Sequence, residues 1–174
     1  VSGTTLSPSL HAFYERNFIK NYLNHELIHS SSSGSSLVKK LRIHLKFLTG
    51  DYLHAEHLAH DRPHLSPACK LCLAPVESTE HVLGTCSATS ECRRRILPEL
   101  LNAVAAVQPK SHILINPTHA QLVQFILDCT SINLSEHYRI PAHNPGISDI
   151  FRISRDWCFA VNNERLSKLN ARSA

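Results

Sequence analysis

The sequence predicts a mainly α-helical protein with one small, loop-rich segment that carries cysteines. Three observations support this fold class. Apolar residues recur at helical spacing in several separate stretches. No stretch shows the period-two alternation of a half-buried strand. Between residues 63 and 88, prolines punctuate a stretch rich in cysteine, which favours loops over regular structure. The 174 residues, 43% of them hydrophobic, suffice for one globular core.

The N-terminal segment, residues 1–30, is predicted to be helical because apolar residues recur at spacings typical of one helix face within residues 11–29. Residues 31–36 are almost all serine around Gly34, and this composition predicts a flexible linker. The sequence lacks Met even at position 1, so we expect the chain to be a fragment of a longer reading frame.

Residues 37–62 are predicted to form a basic amphipathic helix followed by a short His-rich helix. The apolar stripe of the first helix is Leu37, Leu41, Leu45 and Leu48, and Gly50 marks its end. The cations on the other side are Lys39, Lys40, Arg42 and Lys46. Such a face is either simply solvated or a phosphate-contacting surface, and the pattern leaves both interpretations open.

Residues 89–174 are predicted to be a helical C-terminal region. Thr89 or Ser90 can cap a helix that runs to Val107, with Pro98 either kinking it or delaying its start. Three further nucleic-acid contact candidates lie in its first two turns, namely Arg93, Arg94 and Arg95. The expected inward residues are Leu97, Leu100, Leu101, Val104 and Val107.

Two more helices are predicted further along the chain. Thr118 and Gln121 match a capping box in front of a short buried helix. After a connector with Pro141 and Pro145, a final helix is expected to bury Ile147, Ile150, Phe151, Trp157, Cys158 and Val161. Cys129 and Cys158 are expected to be ordinary buried thiols, because nothing indicates the secreted setting that favours disulfides.

Charge and hydropathy exclude few function classes. The formal net charge of +4 is a weaker footprint than a dedicated DNA-binding module shows. There is no apolar run long enough for a membrane span, and the N-terminus lacks the regions of a signal peptide. We therefore expect an intracellular protein, in the nucleus or cytoplasm, without a membrane partner.

The most informative pattern is Cys69-x2-Cys72, eight residues, then His81-x4-Cys86. Two thiolates three positions apart can approach one ion from a tight turn, and a tetrahedral Zn(II) needs a second pair. His81 and Cys86 supply that pair if Gly84 adopts a left-handed conformation that turns Cys86 back. Four protein ligands leave no open coordination position, so the predicted zinc is structural. The nearby Cys92, His60 and His64 are alternative ligands.

These motifs resemble the C-terminal CCHC zinc-knuckle region of non-LTR, LINE-like retrotransposon reverse transcriptase polyproteins. The resemblance rests on Leu48-Thr49-Gly50-x-Tyr52, on the C-x2-C pair, and on Glu77-Ser-Thr-Glu80-His81-Val-Leu-x-x-Cys86. Two later stretches also look like tails of that group, Gln124-Phe125-Ile126-Leu127-Asp128 and Ser154-Arg155-Asp156-Trp157-Cys158-Phe159-Ala160. The resemblance spans residues 41 to 168.

The resemblance implies a segment that helps to hold RNA or target DNA beside the reverse transcriptase domain of the same polyprotein. The chain has no Asp-Asp dipeptide of the polymerase motif and no Pro-Asp dipeptide of the associated endonuclease. We therefore expect that it is not an enzyme by itself.

Two alternatives remain open. His54-x-Glu56 followed by Cys69-x2-Cys72 is similar to the zinc deaminase signature, although an extra Ala68 stands between Pro67 and Cys69, and the short interval shows no strand. The other alternative is a zinc-stabilised protein-interaction module from a truncated or domesticated element.

Overall fold

A computed structural model describes residues 34–130, 134–141 and 144–173. The helix predicted within residues 11–29 and the start of the Ser-rich linker lie outside the described residues. Within the described ranges the protein is mainly helical and contains no strand, as predicted. The helices are α1 (Gly34–Thr49), α2 (Ala55–Asp61), α3 (Ser90–Val107), α4 (His119–Leu127) and α5 (Ile147–Ser173).

Helix α1 begins earlier than the apolar pattern predicts. It starts at Gly34, so residues 34–36 of the predicted linker are helical. Once later turns are held by packing, extending a helix by one turn is easy, and serine composition does not prevent it. The helix ends as predicted at Gly50, whose φ of +80° is the left-handed conformation of a helix terminus.

The buried face of α1 is rotated relative to the predicted leucine stripe. His44, Phe47 and Leu48 are its buried residues, whereas Leu37, Leu41 and Leu45 are only half-buried. The His44 Nε2 atom lies 3.0 Å from the Leu127 carbonyl oxygen at the end of α4. A buried histidine can thus occupy a core position because its ring nitrogen finds a backbone partner.

Helix α3 runs without a delayed start from Ser90 through Pro98 to Val107. Pro98 is exposed, and the buried stripe is Cys92, Ile96, Leu100 and Val104. Leu97, Leu101 and Val107, which were predicted to face inward, are half-buried and pack at the margin of the core. Thr89 is the N-cap residue, but its side chain makes no capping hydrogen bond.

Helix α4 begins with the predicted capping box. The Thr118 hydroxyl accepts from the Gln121 backbone N–H at 3.2 Å, and the Gln121 side chain accepts from the Thr118 backbone N–H at 2.9 Å. The helix then buries Val123, Phe125, Ile126 and Leu127. Local sequence and tertiary packing therefore agree on this element.

Helix α5 is the central element of the fold and packs along both α1 and α3. Trp157, Cys158 and Val161 are at most 1% exposed, and Cys129 in the preceding connection is also buried. Both cysteines are therefore buried free thiols, as predicted, and burial raises the pKa of each. None of the helices in the described ranges is both long enough and apolar enough to cross a membrane.

Candidate metal centre

The four predicted ligands converge in the folded chain. The ligand atoms of Cys69, Cys72, His81 and Cys86 all lie within 4.8 Å of one another, and we call this group the four-ligand cluster. The Sγ atoms of Cys69 and Cys86 are 3.9 Å apart. Tetrahedral zinc with Zn–S bonds of about 2.3 Å requires sulfur atoms about 3.8 Å apart. The separation of Cys69 and Cys86 therefore already matches tetrahedral zinc, and the cluster as a whole could hold a metal ion.

The first ligand pair is presented by a tight turn. The Cys69 backbone N–H donates to the Ala74 carbonyl and the Leu73 N–H donates to the Cys69 carbonyl, both at 2.9 Å. Leu73 closes the turn with a φ of +64° while its side chain is 80% exposed. A leucine rarely adopts this left-handed conformation, so the turn is held in place by its surroundings at some local cost.

The second pair comes from a π-helical turn, His81–Thr85. The Cys86 backbone N–H donates to the His81 carbonyl at 2.7 Å, a bond that spans five residues. In this wider turn five residues complete about one revolution, so Cys86 returns to the side of His81. The prediction that a left-handed Gly84 turns Cys86 back is wrong, because Gly84 is part of this turn and has no positive φ.

Gly84 serves a different purpose in the turn. A β-carbon at this position would lie 3.0 Å from Cγ2 of Val123 in α4. The glycine therefore allows α4 to pack closely against the turn that carries His81 and Cys86. The neighbouring Val82 and Leu83 are buried in the main core, and Leu71 packs with Cys69 and Cys86.

The His81 ring is oriented at both nitrogens. Nε2 lies 3.2 Å from Sγ of Cys72 inside the cluster, and Nδ1 lies 3.2 Å from the Thr85 hydroxyl. Metal ligation through Nε2 places the ring proton on Nδ1, where Thr85 can accept it. Burial lowers the pKa of His81, with Glu77 opposing and Arg93 adding to that shift, and this favours the neutral, metal-binding form.

The thiols differ in acidity. Burial raises the pKa of Cys69 to about 12, partly offset by backbone hydrogen bonds from Cys72 and Leu71. Burial also acts to raise the pKa of Cys72, but hydrogen bonds from the Ala74 backbone and the thiols of Cys69 and Cys86 lower it overall. A metal that displaces these protons binds more tightly as pH rises.

Glu77 lies directly behind the cluster and is 2% exposed. Its carboxylate accepts from the Ala55 backbone N–H at 2.8 Å and from Arg165 at 3.1 Å (Nε) and 2.8 Å (Nη2). Burial would raise the pKa of Glu77, but the Arg165 guanidinium and the Ala55 N–H hold it below the usual range. Oε1 also lies 3.4 Å from Sγ of Cys69.

Basic side chains from two helices hold the backbone of the knuckle, as we call residues 63–88. Arg93 of α3 donates to the Cys86 carbonyl. From α5, Lys168 donates to the carbonyl of Ala88, the last residue of the knuckle, and Arg172 donates to the carbonyls of Lys70 and Leu71. No sequence pattern assigned a role to these α5 residues, because their partners lie 80 or more positions earlier in the chain.

The alternative ligands do not join the cluster. His60 and His64 are exposed, and the Cys92 thiol contacts the Thr89 carbonyl at 3.2 Å. His54 caps α2 by accepting from the His57 backbone N–H at 3.1 Å, and Glu56 is exposed. Among the described residues, the deaminase-like ligand set is therefore not assembled around Cys69 and Cys72.

The predicted nucleic-acid contact residues divide into two groups. Lys39, Arg42 and Lys46 are exposed along one side of α1, and no carboxylate in the described ranges pairs with them. Arg95 is likewise exposed. The remainder have protein partners: Lys40 with Asp156, Arg94 with Glu91, and Arg93 with the Cys86 carbonyl.

Comparisons with protein-family profiles, with curated protein sequences and with solved structures found no match to this chain. Function must therefore be inferred from the geometry of the cluster and from the surface charges of the described residues.

Proposed function

We propose that the chain is a nucleic-acid-binding segment, stabilised by one structural Zn(II), of the kind that follows the reverse transcriptase in non-LTR retrotransposon polyproteins. In this role it works inside the cell, holds RNA or target DNA beside the polymerase domain, and performs no catalysis itself. The observation that carries the proposal is the closed four-ligand cluster. Three thiolates and one imidazole are a typical structural zinc set, and they leave no position for water or substrate.

The zinc part of the proposal is tested by metal content. We expect the purified chain to contain one zinc ion per molecule by mass spectrometry, and Cys72→Ser and His81→Ala to have lost it. Cys158→Ser is the matched control, because Cys158 is a buried thiol away from the cluster and this variant should retain the metal. An absence of metal from the freshly purified, reduced chain would overturn the structural-zinc assignment.

The unpaired cations of α1 support the nucleic-acid part. Lys39, Arg42 and Lys46 are spaced by three and four residues, so they form one exposed row on the helix. With a rise of about 1.5 Å per residue the row spans roughly 10 Å, the length of a few backbone phosphates. Cations already paired with carboxylates contribute less to such a surface, because an incoming phosphate must displace the existing partner.

The binding experiment measures affinity for single-stranded RNA and duplex DNA over a range of salt concentrations. Replacing Lys39, Arg42 and Lys46 together with Gln should weaken binding and reduce the slope of log K against log salt by about two to three. The matched control removes the same charge elsewhere, through Arg62→Gln, Lys110→Gln and Arg152→Gln. An equal loss of affinity in both triple variants would show that binding depends on net charge. The proposed role of the row formed by Lys39, Arg42 and Lys46 would then be rejected.

A protein-interaction module is the second candidate, favoured by apolar residues exposed on the knuckle. Leu73 is 80% and Val76 42% exposed, next to the ligand turn. Solvent-facing apolar groups of this kind occur at protein-binding surfaces. If neither RNA nor DNA binds at low salt while zinc is retained, this alternative replaces the nucleic-acid proposal.

A further inference from the structure

The last turns of α5 present one face to the metal centre. Arg165, Lys168, Leu169 and Arg172 lie at spacings of three and four residues, the pattern of neighbours on a helix surface. Leu169 packs against the small apolar group of Cys69, Leu71 and Cys86. The flanking cations reach a buried carboxylate and backbone carbonyls around the ligands.

Arg165 is the most constrained of these cations. Its side chain is 12% exposed and forms a bidentate ion pair with Glu77, whose side chain is 2% exposed. Its guanidinium carbon also lies 5.7 Å from the centre of the Tyr52 ring. A bidentate ion pair of this kind fixes the orientation of both side chains and also neutralises their charges.

The position of Glu77 makes this pairing important for a metal. Three thiolates and a neutral imidazole around a divalent cation carry one negative charge overall. Glu77 adds a second negative charge with Oε1 only 3.4 Å from Sγ of Cys69. In a buried site such like charges repel strongly, and an adjacent guanidinium offsets the repulsion.

Arg172 acts on the backbone of the first ligand turn. Its guanidinium donates to the carbonyls of Lys70 and Leu71, the two residues between Cys69 and Cys72. These contacts hold the turn that sets the direction of both thiols. They also join the end of α5 to a segment about one hundred positions earlier in the sequence.

We infer that Arg165 and Arg172 are positioning residues of the metal centre: Arg165 neutralises Glu77 beside the Cys69 thiolate, and Arg172 fixes the Cys69–Cys72 turn. The inference rests on metal binding by the four-ligand cluster and extends it, because it makes metal affinity a property of the end of α5. Metal-site partners outside the ligand set commonly change affinity by about 10- to 100-fold when removed.

The experiment titrates the full chain with Co(II), whose thiolate charge-transfer band reports coordination, and then displaces Co(II) with Zn(II). Arg165→Gln should bind metal about 10- to 100-fold more weakly than the original chain. Adding Glu77→Gln to that variant should recover most of the loss, because the unpaired carboxylate is then absent. Arg152→Gln is the matched control, since it changes an exposed arginine of the same helix that pairs with Glu99.

A structural effect and an electrostatic effect give different results. If Arg165→Gln merely loosened the fold, the double variant would bind as weakly as the single variant or more weakly, and the assignment to Arg165 would fail. Arg172→Ala should shift the Co(II) spectrum as well as weaken binding, because it frees the ligand turn. An unchanged spectrum and affinity in Arg172→Ala would reject its role. If the original chain binds no Co(II), the metal proposal itself fails, which is a separate outcome.

Discussion

At the scale of single residues, Leu73 shows local strain in the turn that carries Cys69 and Cys72. Its φ of +64° is unfavourable for a residue that carries a β-carbon, by about 1–2 kcal/mol. Because the side chain is 80% exposed, little packing is lost when it is removed.

We expect Leu73→Gly to raise the free energy of unfolding of the metal-bound chain by up to about 1 kcal/mol, after allowing for the greater freedom of glycine in the unfolded state. Leu73→Val should lower it by about as much, since a β-branched side chain is disfavoured at positive φ. Urea unfolding of the three proteins tests both signs. Destabilisation by glycine would show that the turn is not strained.

The buried His44 should make the stability of the fold sensitive to acid. Burial lowers its pKa from 6.5 to about 4, with the backbone bond to Leu127 opposing that shift. As pH falls, His44 is protonated first in the unfolded state. Its contribution to the free energy of unfolding is therefore fully present above about pH 6.5 and is lost as pH falls toward 4. The loss from this one residue is about 3 kcal/mol.

The measurement is urea unfolding between about pH 7.5 and pH 4. This range covers roughly the window in which His44 is protonated in the unfolded state but not in the folded state. His44→Gln keeps a side-chain donor that can reach the Leu127 carbonyl but cannot titrate. We expect the variant to be less stable at neutral pH and the stability difference to shrink as pH falls. A constant difference across the window would mean that His44 does not contribute to acid unfolding.

At the scale of elements, the π-helical turn depends on its contact with α4. In Gly84→Ala the new methyl would lie 3.0 Å from Val123, so either α4 or the ligand turn must move. We expect a loss of about 1–3 kcal/mol in stability, typical of overpacking, together with weaker metal binding.

Two further variants make this prediction specific. Gly84→Ala combined with Val123→Ala removes the opposing methyl groups and should recover metal affinity. Gly50→Ala is the control: it strains a left-handed helix terminus, but its β-carbon meets nothing within 4 Å, so metal affinity should not change. Equal affinities of Gly84→Ala and the original chain would show that the turn tolerates the shift.

The same elements show what the sequence could and could not predict. Capping of α4 and the end of α1 were predictable because both depend on a few adjacent residues, Thr118 with Gln121 and Gly50. The convergence of Cys69, Cys72, His81 and Cys86 was predictable because metal coordination requires particular side chains at particular spacings.

What could not be predicted depends on contacts between distant segments. The π-helical turn, which packs against α4, was not predicted. The ion pair between Glu77 and Arg165 joins residues 88 positions apart, and no local pattern connects them. The rotation of the buried face of α1 toward His44 likewise depends on a carbonyl supplied by α4.

At the scale of the whole molecule, the described residues contain two apolar clusters of unequal size. The larger one joins α1, α3, α4 and α5 and includes residues such as Phe47, Leu100, Ile126 and Trp157. The smaller one consists of Cys69, Leu71 and Cys86 with few partly buried neighbours, among them Leu169. So small a cluster buries too little apolar surface to order the knuckle without other support.

We therefore expect metal removal by a chelator to loosen the knuckle and the end of α5 while the larger core stays folded. Hydrogen exchange followed by mass spectrometry should show faster exchange in residues 66–80 and 164–173, with little change in α3 and in the first half of α5. Zinc sites in small peptides supply about 10–16 kcal/mol of binding free energy, which is also folding free energy. The Cys72→Ser variant should exchange quickly in these two segments with or without chelator. Uniformly faster exchange throughout the chain would instead show that the metal supports the whole fold, and unchanged exchange would show that the knuckle is held by its basic contacts alone.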